Sequence, residues 1–137
     1  YNYITITNRN YKAKKVCYKF ERENNKLNIP DFGVIEIRRT AKRDPKCFTH
    51  LVDAKKIPSG AVWRFREDGD LIEKFGGGTK SLSDYLIDKK VPSRIRHNLP
   101  VLAVNNEILI IAGVEISNKV KVDENTRTAL GINVVRF

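Results

Sequence analysis

The sequence contains no methionine, and it has only two cysteines, two histidines and no long apolar run. Its longest apolar stretch, residues 108–114, has the length of a β-strand, whereas a helix that crosses a membrane needs about 20 apolar residues. No signal-peptide pattern opens the chain. Because the chain begins at Tyr1 instead of methionine, we interpret it as an excised domain or as a chain that lacks its start. A missing part can hold chemistry that these residues lack.

The scarcity of cysteine and histidine excludes the common zinc clusters and a disulfide framework. Cys17 and Cys47 have no companion ligands at metal-binding spacing, and neither do His50 and His97. In a chain with no secretion signal, we expect two free thiols in the reducing cytoplasm, with a disulfide between them as the alternative. Both histidines are interpreted as ordinary surface or hydrogen-bonded residues, and no metal site is predicted.

No set of residues for nucleophilic, acid–base or metal-assisted catalysis is visible in the sequence. Asp68 and Asp70 flank Gly69 and are interpreted as shaping a turn. The segment Gly-Gly-Gly-Thr-Lys-Ser at 76–81 does not match a phosphate-binding P-loop, which needs glycine directly before Lys-Ser or Lys-Thr. An alternative is that Lys80 and the unpaired N–H groups of a following helix hold one phosphate of an RNA backbone.

The charge of the chain is strongly basic and uneven. The 137 residues carry a net charge of +10, with 41% hydrophobic and 31% charged residues, as in a soluble single domain. Residues 1–50 contain 12 Lys and Arg against 5 Asp and Glu, and residues 80–98 contain 5 against 2, whereas the remaining stretches are neutral. A localised excess suits a face that binds a polyanion such as RNA. A solvated surface in a chain rich in Lys, Asn and Ile is the alternative.

Short alternating segments predict a mainly β (α+β) fold. At the first of them, Tyr18 and Phe20 share the face opposite Cys17 and Lys19. Strands are predicted at 3–7, 16–20, 34–38, 61–66, 101–104 and 108–114, around Val120 and Val122, and at 128–137. The two strands on either side of the Asn-Asn turn at 105–106 form a predicted hairpin.

One helical insertion is predicted at about 80–98. Ser81 can cap its first helix, and an apolar stripe at the i, i+3, i+4 spacing gives that helix a buried face. The residues of this stripe are Leu82, Tyr85 and Leu86. Pro92 ends the helix, and a second, shorter helix follows at 93–98.

The polar side of this insertion is the predicted RNA-binding surface. The predicted RNA-binding residues are Lys80, Lys89, Lys90, Arg94 and Arg96 in the insertion, and Arg64 and Arg66 on an adjacent strand. Guanidinium groups bind phosphate oxygens in a forked geometry, which suits recognition of an RNA backbone. Two alternatives remain open: the lysines complement the helix macrodipole, and Arg64 or Arg66 pairs internally with Asp68 or Asp70.

Several motifs follow one another in a fixed order along the chain. They are Asp-Ala-Lys-Lys-Ile at 53–57, Trp-Arg-Phe-Arg-Glu-Asp-Gly-Asp at 63–70, Gly-Thr-Lys-Ser-Leu-Ser-Asp-Tyr-Leu-Ile-Asp-Lys-Lys-Val-Pro at 78–92, Arg96, Leu-Pro-Val-Leu at 99–102 and Ile-Ala-Gly at 111–113. This order resembles the carboxy-terminal region of bacterial tRNA(Ile)-lysidine synthetases. The resemblance covers residues 51–118 well and residues 1–50 loosely, and it depends on the ordered set because no single motif is specific.

The resemblance implies that residues 1–137 form a single tRNA-binding carboxy-terminal domain of a tRNA-modifying ligase. The full enzyme uses ATP to adenylate C2 of the wobble cytidine in an isoleucine tRNA with a CAU anticodon, and it then joins lysine there. ATP and lysine are used by an amino-terminal catalytic domain with a Ser-Gly-Gly-x-Asp-Ser motif, which this sequence does not contain. The chain by itself is therefore expected to be non-catalytic and to hold no cofactor.

The resemblance also implies a fold and a partner. The fold is expected to be β-sandwich-like, similar to a domain in the β chain of phenylalanyl-tRNA synthetase. The partner is expected to be the isoleucine tRNA with the CAU anticodon, gripped in its acceptor-stem region, in the cytoplasm. The alternative function is a stand-alone basic module that associates with RNA or with another protein and has no catalytic role.

Overall fold

The computed structural model describes residues 17–41 and 44–137 of the chain. In chain order, the strands in these residues are β1 (Cys17–Lys19), β2 (Asn25–Ile29), β3 (Gly33–Thr40), β4 (His50–Asp53), β5 (Val62–Phe65), β6 (Leu71–Glu73), β7 (Thr79–Ser81), β8 (Pro100–Val104), β9 (Glu107–Ile111), β10 (Glu115–Ile116) and β11 (Ala129–Arg136). The helices are α1 (Leu82–Asp88) and α2 (Ser93–Arg96), and 3-10 turns lie at Pro45–Cys47, Ala54–Lys56 and Asn118–Val120.

These strands form two sheets. The larger sheet has the strand order β1-β5-β8-β9-β6-β7, and β10 extends it by pairing with β9. Its strand pairs are antiparallel except for β6 and β9, which run parallel. The smaller sheet has the order β2-β3-β11-β4 and is antiparallel throughout. β11 lies between β3 and β4, so this strand joins the two parts of the smaller sheet.

Both sheets contribute side chains to one hydrophobic core. Ile37 of β3 and Leu130 of β11 come from the smaller sheet, while Trp63 of β5 and Ile110 of β9 come from the larger one. Each of these four side chains is at most 1% exposed. Full burial of a large apolar side chain contributes about 1.5–3 kcal/mol, so the shared core fixes the two sheets relative to each other.

A buried histidine also connects the two sheets. His50 lies in β4 and is 6% exposed, and its Nε2 accepts a hydrogen bond of 2.9 Å from the N–H of Gly113, which follows β9. Burial lowers the pKa of His50 to about 4, and a hydrogen bond to the backbone of Ile111 opposes this shift. The interpretation of His50 as a hydrogen-bonded residue is confirmed. His97, in contrast, is exposed.

The predicted mainly β fold with a helical insertion is confirmed, although one predicted strand is wrong. At β1 the alternation is found as expected, with Phe20 buried and Cys17 and Lys19 exposed. No strand runs through Val120 in the described chain, because Asn118–Val120 forms a 3-10 turn that the Ser117 hydroxyl caps. A polar cap followed by a tight turn therefore prevails over the β-propensity of the valines.

The glycine-rich segment forms a hairpin that the sequence did not predict. Gly76, Gly77 and Gly78 have φ values of 86°, 89° and 90°, which glycine adopts without the steric cost of a side chain. The N–H of Lys74 donates to the carbonyl of Gly78 at 3.1 Å, and the N–H of Gly77 donates to the carbonyl of Lys74 at 3.0 Å. This turn joins β6 to β7, and β7 leads directly into α1.

Some predictions fall on residues outside the described ranges. These are the strand at 3–7, the first residue of the strand at 16–20, and part of the basic excess of residues 1–50, which includes Lys42 and Arg43. Within the described ranges, Cys17 and Cys47 are free and exposed. No helix of this part of the chain has the length and apolar character needed to cross a membrane.

Candidate nucleic-acid interface

Helix α1 begins where the sequence predicts, because Ser81 caps it. The Ser81 hydroxyl accepts a hydrogen bond of 3.1 Å from the N–H of Asp84. The N–H of Leu82 donates to the carbonyl of Asp70 at 2.8 Å. Two N–H groups of the first turn, which would otherwise lack partners, are therefore already paired within the protein.

Lys80 is drawn away from the start of this helix. Its ammonium forms an ion pair with the carboxylate of Asp88, in the last turn of α1, so its side chain runs along the helix. This pair reduces the net charge that Lys80 adds to the surface. Together with the paired N–H groups, it argues against the alternative in which Lys80 and the helix start hold a phosphate.

Helix α1 buries the predicted apolar stripe. Leu82, Tyr85 and Leu86 are 1%, 5% and 1% exposed, whereas Ile87 is 52% exposed. Burial raises the pKa of the Tyr85 hydroxyl, and the charge of Glu115 raises it further. The packing of this stripe turns the polar side of α1 toward solvent, as the sequence predicts.

A Schellman motif fixes the end of α1. The N–H of Lys90 donates to the carbonyl of Ile87 at 2.9 Å, and the N–H of Val91 donates to the carbonyl of Leu86 at 3.0 Å. Val91 and Leu86 are both buried, which supplies the apolar contact typical of the motif. Lys90 has a φ of 61°, in the left-handed region where glycine is the usual residue. The motif thus holds an exposed lysine at a fixed position beyond the helix.

Helix α2 returns an arginine to the end of α1. Pro92 has a φ of −58° and a ψ of 142°, so the chain is extended there before α2 begins at Ser93. The Nε–H of Arg96 donates to the carbonyl of Val91 at 2.9 Å. This guanidinium therefore lies against the backbone of the residue that follows Lys90. The predicted bend at Pro92 therefore brings the end of α2 to the end of α1.

Four basic residues around this bend form a surface of unpaired positive charge. We call this set the helix-end cluster: Lys89, Lys90, Arg94 and Arg96. None of the four forms an ion pair with a described residue, and the ammonium of Lys89 lies 5.5 Å from the centre of the Tyr85 ring. The macrodipole of α1 can account for Lys89 and Lys90, which follow its last residue, but it does not account for Arg94 on α2.

Arg64 does not belong to this surface, and the prediction is corrected here. It is 8% exposed, and its guanidinium donates to the two carboxylate oxygens of Asp70 at 2.9 and 2.8 Å. It also donates to the carbonyl oxygens of Phe65 and Asn105. The hydrogen bonding of Arg64 to the Asp70 carboxylate is the main cause that raises the pKa of Arg64. The internal pair that the sequence left open as an alternative is the arrangement found.

Arg66 lies beside α1 but at its other end. Its Nη1 donates to the hydroxyl of Ser83 at 3.0 Å, and the side chain is half-buried. Its Nε is buried and has no hydrogen-bond partner in the described part of the protein. Arg66 therefore links the end of β5 to the first turn of α1, apart from the helix-end cluster.

Two residues that shape the interface carry no distinct signal in the sequence. Asp88 neutralises Lys80, and Ser83 anchors Arg66. Asp88 contributes to the charge count of residues 80–98, but its partner depends on the path of the Lys80 side chain along α1. Across the described residues, no group of three or more His, Cys, Asp or Glu side chains could hold a metal ion. The arrangement suits the binding of an anionic surface.

Comparison with known families gives one match over more than half of the chain. The family model described as the TilS substrate C-terminal domain matches residues 61–133. The match includes β5 to β10, both helices and most of β11. It therefore covers the helix-end cluster and the Arg64–Asp70 pair.

Two similar proteins are tRNA(Ile)-lysidine synthases. The tRNA(Ile)-lysidine synthase of Clostridium tetani is 39% identical over 115 residues, which is 81% of this chain and 25% of that protein. The tRNA(Ile)-lysidine synthase of Caldanaerobacter subterraneus subsp. tengcongensis is 34% identical over 104 residues, which is 75% of this chain and 22% of that protein. The chain thus spans about a quarter of the length of these relatives.

A solved structure has a similar fold. The crystal structure of a TilS C-terminal domain superposes with a TM-score of 0.69, covering 89% of this chain and 98% of that domain. The two sequences are 21% identical over this superposition, so the comparison concerns the fold alone.

Proposed function

The chain belongs to the family of the TilS substrate C-terminal domain, and on that premise we propose that it grips tRNA for a tRNA(Ile)-lysidine synthase. The helix-end cluster is the observation that carries this proposal, because its four cations are free of ion pairs with described residues. Each Lys or Arg that neutralises a phosphate releases a condensed counterion, so such a cluster favours binding to an RNA backbone.

The proposal places the chemistry outside this chain. A whole enzyme of this kind would use ATP and lysine in an amino-terminal catalytic domain and modify the wobble cytidine of the isoleucine tRNA with the CAU anticodon. This chain would hold no cofactor, would not catalyse the reaction alone and would act in the cytoplasm. Its fold would be β-sandwich-like, similar to a domain in the β chain of phenylalanyl-tRNA synthetase, and two sheets that share one core support this assignment.

The mode of recognition we propose is by shape, at the acceptor-stem region. Proteins contact A-form RNA stems mostly through phosphates and 2′-hydroxyl groups, because the deep major groove hides the base edges. Lys89, Lys90 and Arg94 offer exposed charged donors, whereas the nearby ring of Tyr85 is buried, which suits backbone contacts better than base stacking. Arg66 donates a hydrogen bond to Ser83, so its main role would be to hold α1 in position, and not to bind RNA.

The test is the salt dependence of binding between the 137-residue chain and the isoleucine tRNA. If about six phosphates are contacted, affinity should fall on the order of a thousandfold between about 50 and 200 mM salt. Replacing Lys89 by Gln, Lys90 by Gly and Arg94 by Gln together should reduce the slope of log affinity against log salt by about three. Lys80→Gln should have a smaller effect, because Asp88 already pairs with Lys80.

Lys121→Gln is the matched control for these changes. Lys121 is exposed, and its side chain forms no ion pair with a described residue. Lys119 is a poorer control because it pairs with Glu107, whose hydrogen bond raises the pKa of Lys119. An affinity that stays flat over the salt range, or a Lys121 effect as large as that of Lys90, would contradict the proposal. The first result would favour a basic module for a protein partner.

A further inference from the structure

A second basic cleft lies away from α1. It has a volume of about 220 Å³ and is lined by Arg22, Glu23, Arg39, Ala54, Lys55 and Thr128. Arg22 follows β1, which is the edge strand of the larger sheet opposite β7, whereas α1 follows β7 directly. Arg39 lies near the end of β3, and Lys55 lies in the 3-10 turn after β4. Chain segments distant in sequence therefore converge on this cleft.

Arg22 is held in place on one side of the cleft. Its Nε donates to the carbonyl of Ala54 at 3.3 Å, and its Nη2 donates to the carbonyl of Ile57. The guanidinium carbon also lies 5.9 Å from the centre of the Phe20 ring. Carbonyl groups and an aromatic ring orient this guanidinium without cancelling its charge, because no carboxylate of a described residue pairs with it.

Arg39 and Lys55 add two exposed cations to the cleft. The side chain of Arg39 is 54% exposed, and its Nη1 lies 3.7 Å from the carboxylate of Glu23, which is 80% exposed. Exposed ion pairs of this length are worth little, so a stronger anion can displace Glu23. Lys55 forms no ion pair with a described residue and is exposed. Three cations thus face one carboxylate.

Part of the basic excess of residues 1–50 lies at this cleft. Residues 1–50 carry 12 Lys and Arg against 5 Asp and Glu, yet the helix-end cluster takes no residue from them. Arg22 and Arg39 come from that stretch and meet Lys55 at the cleft. We propose that the cleft binds a backbone phosphate of the same tRNA, as a second contact separate from the helix-end cluster. This inference rests on the proposed function.

The test replaces the two exposed cations together. Arg39→Gln with Lys55→Gln leaves Arg22 in place, since its hydrogen bonds support the fold. In tRNA titrations with the full chain, the slope of log affinity against log salt should fall by about two. Because both side chains are exposed, the thermal unfolding midpoint should not change, and measuring it verifies that the variant folds.

A matched control removes the cations at adjacent positions. Arg38→Gln with Lys56→Gln changes the same two elements, but Arg38 pairs with Glu36 and Lys56 pairs with Asp123. This control should leave the salt slope nearly unchanged. Equal losses for the control and for the cleft variant would overturn the proposal, because the effect would then come from overall charge.

Glu23→Gln tests the cleft in the opposite direction. It removes the carboxylate that competes with phosphate for Arg39, so tRNA affinity should rise and its salt dependence should steepen. Partial unfolding cannot produce such a gain. Unchanged or weaker binding by this variant would overturn the proposal.

The remaining outcomes separate this inference from the proposed function. If helix-end variants lose tRNA binding while the Arg39 and Lys55 variant does not, the second contact is overturned and the proposed function stands. If the unchanged chain does not bind tRNA, the proposed function fails and the second contact fails with it. If inorganic phosphate stabilises the unchanged chain against heat while the cleft variant still binds tRNA fully, the cleft is a site for small anions and the RNA contact is overturned.

Discussion

Arg64 and Asp70 are joined inside the protein by two parallel hydrogen bonds, of 2.9 and 2.8 Å, between guanidinium and carboxylate. One oxygen of Asp70 also accepts the N–H of Glu67 at 2.7 Å. The carbonyl of Asp70 accepts the N–H of Leu82 at the start of α1. The segment 64–70 therefore builds the turn that positions α1, with Arg64 as its internal support.

Asp70→Asn should destabilise the fold markedly. The change leaves the buried charge of Arg64 with only the exposed carboxylate of Glu67, 4.0 Å from its Nε. Removal of one partner of a buried pair costs about 3–5 kcal/mol. Urea unfolding of the variant should show this loss in the free energy of unfolding. Asp68→Asn, at an exposed position in the same turn, should change it by less than about 0.5 kcal/mol. Similar unfolding midpoints for the two variants would contradict the internal role of the pair.

His50 should make stability depend on pH between about 6.5 and 4. Its pKa is lowered in the folded protein, so the unfolded chain binds the proton more readily in this range. The stabilisation is complete above pH 6.5 and is lost progressively as the pH falls toward 4. The shift corresponds to about 3 kcal/mol of unfolding free energy.

The matched variants for this prediction are His50→Gln and His97→Gln. Glutamine can accept the hydrogen bond from Gly113 but does not titrate, so the first variant should lose most of the pH dependence in this window. His97 is exposed, and its replacement should leave the dependence intact. Urea unfolding at several pH values measures the free energy of unfolding of each variant. If this free energy depends on pH in the same way for His50→Gln and for the wild-type chain, His50 is not the group that causes the dependence.

Lys90→Gly should weaken tRNA binding while making the fold more stable. Lys90 has a φ of 61°, which costs an L-residue roughly 1–2 kcal/mol, and the extra flexibility of glycine in the unfolded chain offsets part of the gain. We expect a net rise of about 0.5–1 kcal/mol in the free energy of unfolding. Thermal unfolding and salt-dependent titration of one sample measure both effects. A loss of both stability and binding would contradict the Schellman geometry.

Gly33→Ala should disrupt the smaller sheet. A Cβ atom at this position would overlap the carbonyl oxygen of Val135, on the neighbouring strand β11. Gly60→Ala is the control, because Gly60 also has a positive φ, of 93°, but its Cβ would meet no atom within 4 Å. Both variants carry backbone strain of about 1–3 kcal/mol, and Gly33→Ala should lose more by the cost of the overlap. Equal unfolding free energies for the two variants would contradict this prediction, because they would mean that β11 moves away from the added Cβ with no loss of stability.

The elements that the sequence predicts best depend on neighbours close in the chain. Ser81 as a cap and the stripe at Leu82, Tyr85 and Leu86 are local features of one helix, and both are found. The family resemblance over residues 51–118 is confirmed by the family model over residues 61–133. Alternation along β5 could not decide whether Arg64 faces solvent, because its partner carboxylate lies across a turn.

Elements that depend on distant partners could not be predicted in the same way. β6 and β7 are each three residues long, and they exist because the glycine turn joins them and β6 pairs in parallel with β9. The cleft of Arg22, Arg39 and Lys55 is assembled from three separate segments, so a count of charges could locate the excess but not its geometry. The RNA-binding role of the helix-end cluster stays a prediction.

The fixed backbone at Lys90 has a consequence for the lifetime of a complex. Folding has already ordered this residue through two hydrogen bonds across the end of α1, so RNA would meet a cation whose backbone needs no further ordering. Immobilising a flexible side chain at an interface costs about 0.5–1.5 kcal/mol, and a fixed backbone limits that cost to the side-chain torsions. Differences in affinity among variants of one interface arise mainly from dissociation rates. The rigidity of this turn should therefore act on how long tRNA stays bound.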